Sequence, residues 1–324
     1  MSFVLRRFAF YFVAIMVAIT FNFIMPRMMP GDPVDALFAS AQGRMSLETL
    51  AAYKEMLGFV DGPLHEQYFI YLKSIFTWDL GPSIMLYPLP VSDLLAVKVP
   101  WTVGLAGMST FISVFIGLLI GTYASYHRAG FVDRFMPGFW AFVGAMPQPV
   151  TALYIFFIFA LTWKVFPLSY GANPDIDPSY SWEYLSSIFY HAVLPISSMI
   201  LGGIGAWIFN MRNAMINVLG EDYITMAKAK GLSNGRIMSH YAARNALLPV
   251  VTAVSMQIGF IMAGAIFIET VYNYPGVGLL LFKALGARDY PTMQACFLLI
   301  VVFVLVANFI ADLLNLWLDP RLRK

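Results

Sequence analysis

The sequence predicts an all-α integral membrane protein built on six transmembrane helices with short helices outside the membrane, and three observations carry that reading. Of 324 residues, 60% are hydrophobic and 12% charged, where soluble domains are about one quarter charged, and the mean hydropathy is +0.72. Six apolar runs reach the roughly 20 residues that cross about 30 Å of hydrocarbon at the helical rise. None of them alternates with period two, which favours helices over a β-barrel.

The first run, 8–28, follows Arg6 and Arg7 and ends in PRMMPGDP without a small-x-small cleavage site, so it is read as an uncleaved first span and not as a signal peptide. The hydrophilic stretch 30–98 then has helical content of its own. In SLETLAAYKEMLG (46–58), Ser46 can cap, Leu47, Leu50, Ala51 and Leu57 repeat at helical spacing, and Gly58 terminates. Pro63 opens a second helix through LHEQYFIYLKSIF, and the proline-rich WDLGPSIMLYPLP (78–90) returns the chain to the membrane. The next spans are expected at 99–125, 136–163, 192–216, 247–271 and 291–318. Between 164 and 191, ANPDIDPSYSWEYLSSIF reads as a loop followed by a short amphipathic helix. Glycines at close-packing spacing, Gly117 with Gly121, Gly202, Gly203 and Gly205, and Gly259 with Gly264, read as sites of helix contact.

Six spans place both termini on one side. That side collects Arg6, Arg7, Arg128, Arg134, Arg212, Lys228, Lys230, Arg236, Arg244, Arg321, Arg323 and Lys324, which makes it the cytoplasm. The opposite side holds most carboxylates, among them Asp32, Asp35, Glu48, Asp79 and Asp93, and then Asp175, Asp177 and Glu183. The net charge of +2 gives no indication of nucleic-acid binding, and a single cysteine, Cys296, leaves no intrachain disulfide to form.

Residues 217–246 fall in the cytoplasm between spans four and five. Within EDYITMAKAKGLSNGRI, Glu221 and Asp222 stand at the start of a helical pattern and Lys228 and Lys230 near its end, matching the helix dipole. Gly231 ends that helix and Ser233 can cap a second. Tyr223, Ile224, Ala227 and Leu232 form an apolar side too small for its own core, and Ala227 and Ala229 leave room for another surface to approach. A docking element for a cytoplasmic protein fits this pattern, as does a basic loop on phospholipid headgroups.

EDYITMAKAKGLSNGRI followed by HYAARNALLP (240–249) resembles the cytoplasmic coupling loop of the permease subunits of ABC importers, in the version of the dipeptide, oligopeptide and nickel branch. LRR (5–7), PGDPV (30–34), WDLGPSI (78–84), ETVYNYPGVGLLL (269–281), ARDYP (287–291) and DPRLRK at the end agree in order, so the resemblance covers essentially the whole chain. Two departures from the generic importer pattern, Thr225-Met226 in place of Glu-Ala and a more distant Pro249, resemble the peptide branch itself. The resemblance implies a type I ABC importer permease fold, with 1–98 as first helix and external segment and 99–324 as the permease core. It also implies that Glu221, Tyr223, Ala227, Lys228, Ala229, Gly231 and Leu232 couple the chain to an ATPase.

The implied partners are a second homologous permease in a heterodimer, two ATPase subunits or domains, an external solute-binding protein and membrane lipid. ATP and Mg would be bound by the ATPase partners and no cofactor by this chain, whose sequence has no GxxxxGK[ST] phosphate loop. The expected cargo is a short peptide, with oligosaccharides and nickel chelates as alternatives in the same branch. A proton-coupled carrier would carry ionisable groups deep in several spans, and a membrane enzyme a clustered nucleophile, base or metal set; neither pattern occurs. Gln257 in span five and Glu269 at its outer end are the intramembrane polar candidates for a substrate path, each also explicable as a structural hydrogen bond. Asn308, Asp312, Asn315 and Asp319 step along one face of the last helix and fit an interhelical role.

Overall fold

The computed structural model describes residues 3–28, 63–127, 130–258 and 261–318. The described residues form helices and irregular connections, with no β-strand beyond an isolated bridge between Pro82 and Pro90. The helices are α1 (Phe3–Met28), α2 (Leu64–Thr77), α3 (Val91–Tyr126), α4 (Phe131–Ala145), α5 (Gln148–Ile155), α6 (Trp182–Leu219), α7 (Asp222–Ala229), α8 (Asn234–Arg236), α9 (Arg244–Ile258), α10 (Ile261–Val271), α11 (Val277–Ala287) and α12 (Tyr290–Leu318). Wider π-helical turns extend α5 over Phe156–Thr162 and join α8 to α9 over Ile237–Ala243. The expected helix over 46–58, the PGDPV motif and the terminal DPRLRK all include residues outside the described ones.

The six expected spans are not all present as six long helices. Among the described residues, four helices are long and apolar enough to cross a membrane: Leu5–Met25 within α1, α3, α6, and Tyr290–Leu313 within α12. Arg134–Ala145 and Gln148–Thr162 make a fifth only if taken together, and they meet at 97°. The cause of that bend is local: Pro147 and Pro149 flank Gln148, and Met146, the residue before proline, is extended at φ −77°, ψ 130°. A hydropathy average runs straight through such a break. The run 247–271 is covered by α9 and α10, with 259–260 between them outside the described residues. The short outer helix expected before span four is continuous with it, giving a 38-residue α6 capped by Ser181, whose hydroxyl accepts the Tyr184 amide at 3.2 Å.

By packing, the chain divides into two units. The first comprises residues 1–102 and 275–305. Its helices are joined by side-chain amides: Asn22 donates to Tyr71 Oη at 2.9 Å and to the Gln294 carbonyl at 2.7 Å, and Gln294 returns a bond to the Asn22 carbonyl. Two motifs far apart in sequence, WDLGPSI and ARDYP, meet at Asp289, which is fully buried. Its carboxylate accepts from Ser83 Oγ, from the Met85 amide and from the amide and hydroxyl of Thr292. Asp289 thereby caps α12 while holding the return segment, and Arg288 before it turns the chain in the left-handed region at φ 54°.

The second unit comprises residues 103–274 and 306–324, with α6 packed against α4, α5 and α9. In hydrocarbon, burying leucine against leucine gains little over lipid, so close backbone approach and polar contacts decide association. Gly117 and Gly121 bring α3 onto α6: a Cβ at Gly117 would stand 2.5 Å from Trp207 Cβ, and one at Gly121 2.6 Å from the Ile208 carbonyl oxygen. Gly205 admits Trp140 of α4. The Tyr272 hydroxyl, buried, bonds Ser198 of α6 at 2.7 Å and donates to the Ala152 carbonyl of α5 at 3.2 Å.

Gly121→Ala is expected to lower the thermal unfolding temperature in detergent by overpacking worth about 1–3 kcal/mol, whereas Gly107→Ala, with open space around it, leaves it unchanged or raised. Asp289→Ala leaves four buried or part-buried donors without their acceptor; a loss of about 3 kcal/mol or more is expected, together with faster proteolysis in 78–90 by timed digestion. Asp289→Asn retains part of both.

Candidate functional site

The hairpin between α6 and α9 forms where the residue pattern places it. Glu221 stands at the N-cap of α7 in extended conformation and Asp222 in its first turn, without a side-chain cap bond from Glu221, while Lys228 closes the last turn. Gly231 takes φ +72°, a left-handed conformation that favours glycine, and its amide donates to the Lys228 carbonyl at 2.9 Å. Leu232 then bonds back to the Ala227 carbonyl at 3.3 Å. Ser233 occupies the N-cap of α8 with its carbonyl accepting from Ile237, although its hydroxyl makes no cap bond.

The two faces of α7 differ sharply. Ile224 and Ala227 are 0% and 3% exposed and sink into a cluster made by Trp207, Met211 and Met215 of α6, Ile237 and Ala242 of the π-helical turns, and Ala246 and Val250 of α9. Leu232 and Tyr126 pack at its edge. The apolar side read from the sequence as a surface for a partner is therefore in large part the seat of the hairpin on its own bundle, and Ala227 in particular faces inward. Glu221, Tyr223, Lys228, Ala229 and Gly231 remain exposed. Tyr223, Met226 and Lys230 line one outward stripe at helical spacing.

Two contributions escaped the sequence. Met226, 60% exposed, is the most accessible large apolar side chain of the hairpin, and the 223-226-230 spacing is the signal that marks it. Tyr126, the last residue of α3, donates to Asn234 Oδ1 at 3.0 Å and so links a third helix to the second arm; nothing local in sequence announces a bond across 108 positions.

The substrate-path candidates do not share an accessible surface. Gln257 is exposed on α9, and Glu269 is 0% exposed on α10. Just past α10, the Tyr274 amide bonds the Glu269 carbonyl at 2.8 Å, and burial first, then the Glu269 charge, push the Tyr274 hydroxyl pKa up. Asn308 and Asp312 are half-buried on α12, whereas the Asn315 side chain and Asp319 lie outside the described residues. Among the described residues, no group of three or more His, Cys, Asp or Glu side chains could hold a metal ion.

Comparison with known proteins bears directly on this arrangement. The family described as binding-protein-dependent transport system inner membrane component matches residues 113–324, which include the whole hairpin. The dipeptide transport system permease protein of Bacillus subtilis is 30% identical over 99% of this chain and 97% of its own length. Its namesake in Escherichia coli K12 is 31% identical over 100% of this chain and 99% of its own. The glutathione transport system permease protein of Salmonella paratyphi A is 30% identical, again over 100% and 99%. Full-length similarity of this kind, with the family match spanning the seated hairpin, shows that the chain belongs to the binding-protein-dependent transport system inner membrane component family.

Proposed function

We propose that the chain is one of two homologous permease subunits of an ATP-driven importer for short peptides, driven through the outward stripe of α7. The observation that carries this reading is the two-faced hairpin: Ile224 and Ala227 fix it to α6 and α9, while Tyr223, Met226 and Lys230 stay free for a partner. The stripe seats in an ATPase subunit, and closure of two such subunits around ATP and Mg displaces the hairpin. Because α7 follows α6 directly and α8 runs through the π-helical turns into α9, that displacement passes to both membrane helices. Gly231 sets the corner between the arms. Glu221, Lys228 and Ala229 flank the docked face, and Ala227 and Leu232 hold it in place.

The remaining machine follows from the same reading. An external solute-binding protein delivers cargo, a second permease supplies the other half of the path, and the protein sits as a multi-pass subunit in the inner membrane with both termini in the cytoplasm. Residues 99–324 act as the permease core, and the family match falls inside that range. Relatives named for dipeptide and glutathione transport favour peptides over oligosaccharides or nickel chelates as cargo. Gln257, being accessible, is the better candidate for the cargo path; Glu269 supports the corner after α10.

The test is peptide uptake by the assembled complex in proteoliposomes, with ATP hydrolysis measured alongside. Met226→Glu puts a charge into the docked face without touching the core; uptake is expected to fall at least tenfold, as hot-spot residues at interfaces typically do, while the protein stays folded and inserted. Gly231→Pro fixes φ near −65° and removes the amide that bonds Lys228, and it too abolishes uptake. ATP-driven uptake at the wild-type level in both variants would contradict docking through α7. Uptake of labelled oligosaccharide in preference to di- and tripeptides would contradict the cargo.

A further inference from the structure

The outer connection between the π-helical turns after α5 and the start of α6 has an ordered base and an exposed tip. At the base, Tyr190 donates to the Val165 carbonyl, Phe166 packs on the Tyr190 ring at 5.5 Å, and Ser187 Oγ accepts the Asn173 amide at 2.7 Å. Asn173 Oδ1 then accepts the Asp175 amide at 3.0 Å, and Ser181 caps α6. The chain is thus returned to the first turns of α6 at several points, yet Tyr180 is 100% exposed and Trp182 82%. Asp175, Asp177 and Glu183 are also exposed, and between 165 and 183 no Lys or Arg offsets them.

Height argues against lipid as the covering. At the helical rise, the 38 residues of α6 extend about 57 Å, well beyond the 40–45 Å of a bilayer with its headgroups. With the hydrophobic span beginning near residue 192, Trp182 stands about 15 Å past the hydrocarbon edge, outside a headgroup zone of about 5–7 Å per leaflet. Three carboxylates would also be repelled by anionic lipid. Charge argues against the second permease, because obligate interfaces are apolar and depleted of Asp and Glu. Aromatic anchors inside a charged rim instead suit a partner that binds and leaves.

We propose that the tip 175–183 docks the external solute-binding protein, with Trp182 and Tyr180 as anchors and Asp175, Asp177 and Glu183 facing a basic patch on that protein. The proposal rests on the importer reading above and adds to it the surface and the sign of its charge. Docking here would sit at the far end of the helix whose other end carries the hairpin.

The experiment is a titration of ATP hydrolysis by the complete complex in nanodiscs against its purified binding protein. Trp182→Ala and Tyr180→Ala are expected to raise the half-maximal concentration roughly tenfold or more with basal hydrolysis unchanged. In wild type that concentration should rise with salt, and Asp175→Asn with Asp177→Asn should flatten the dependence. Unaltered titrations in all these variants would overturn the docking surface. So would loss of the second permease from the purified variants, or a nitroxide on Tyr180→Cys reached by oxygen instead of a water-soluble nickel complex, which would assign the tip to a permease contact or to lipid. A wild-type complex that ignores the binding protein would overturn the importer reading as well, whereas a responsive wild type with unaffected variants overturns only this surface.

Discussion

The arrangement depends on the seating of Ile224 and Ala227 against the end of α6 and the start of α9. A hairpin with a short first arm and a three-residue α8 is too small to hold a conformation in water by itself, because helix nucleation is costly and it encloses no core. Burial of an isoleucine and an alanine against Met211, Met215, Ala242, Ala246 and Val250 supplies what the hairpin lacks. The same contact makes it a lever: a segment packed this closely cannot be displaced without moving what it rests on. In the proposed function, the exposed and buried faces of one short helix have separate duties, one toward a partner and one toward the bundle.

Inside the membrane the constraint changes, since lipid competes on equal terms for apolar side chains. The structure answers with absent side chains and with hydrogen bonds. Gly117, Gly121 and Gly205 allow α3, α6 and α4 to approach until Cβ atoms would overlap, and Tyr272 spans α6 and α5 through its hydroxyl. The first unit is held by groups of the same kind, Asn22 with Gln294 and Tyr71, and Asp289 with Ser83 and Thr292. Asn22 Nδ2 and the Asp289 carboxylate find their partners within that unit, as buried polar atoms generally do, while Asn22 Oδ1 and the Tyr290 hydroxyl are buried without one.

Much of this was legible in the residues, and the exceptions have physical causes. The hairpin boundaries followed from charges at the helix ends and from Gly231, because capping and left-handed turns are local properties. The membrane helices were found by hydropathy, but the break at Met146–Pro147 was averaged away by apolar neighbours, and the join of the outer helix to α6 lies in the polar stretch before residue 192, where hydropathy carries no signal for it. The inward turn of Ala227 depended on which face meets α6 and α9, a tertiary fact. Asp289 meeting Ser83 and Tyr126 meeting Asn234 link positions 206 and 108 apart, and no window of one sequence reports such pairs.

The central claim is that the hairpin and α6 move as one body when nucleotide binds. Nitroxides on Thr225→Cys and Asn210→Cys, both exposed positions outside the docking stripe, would report their separation by pulsed electron resonance in the assembled transporter. The account predicts the same distance with and without ATP and Mg, within about 2 Å, the scale of ordinary helix adjustments. A change approaching one helical turn, about 5 Å, or a distribution that broadens on nucleotide binding, would show the hairpin leaving its seat and contradict the account.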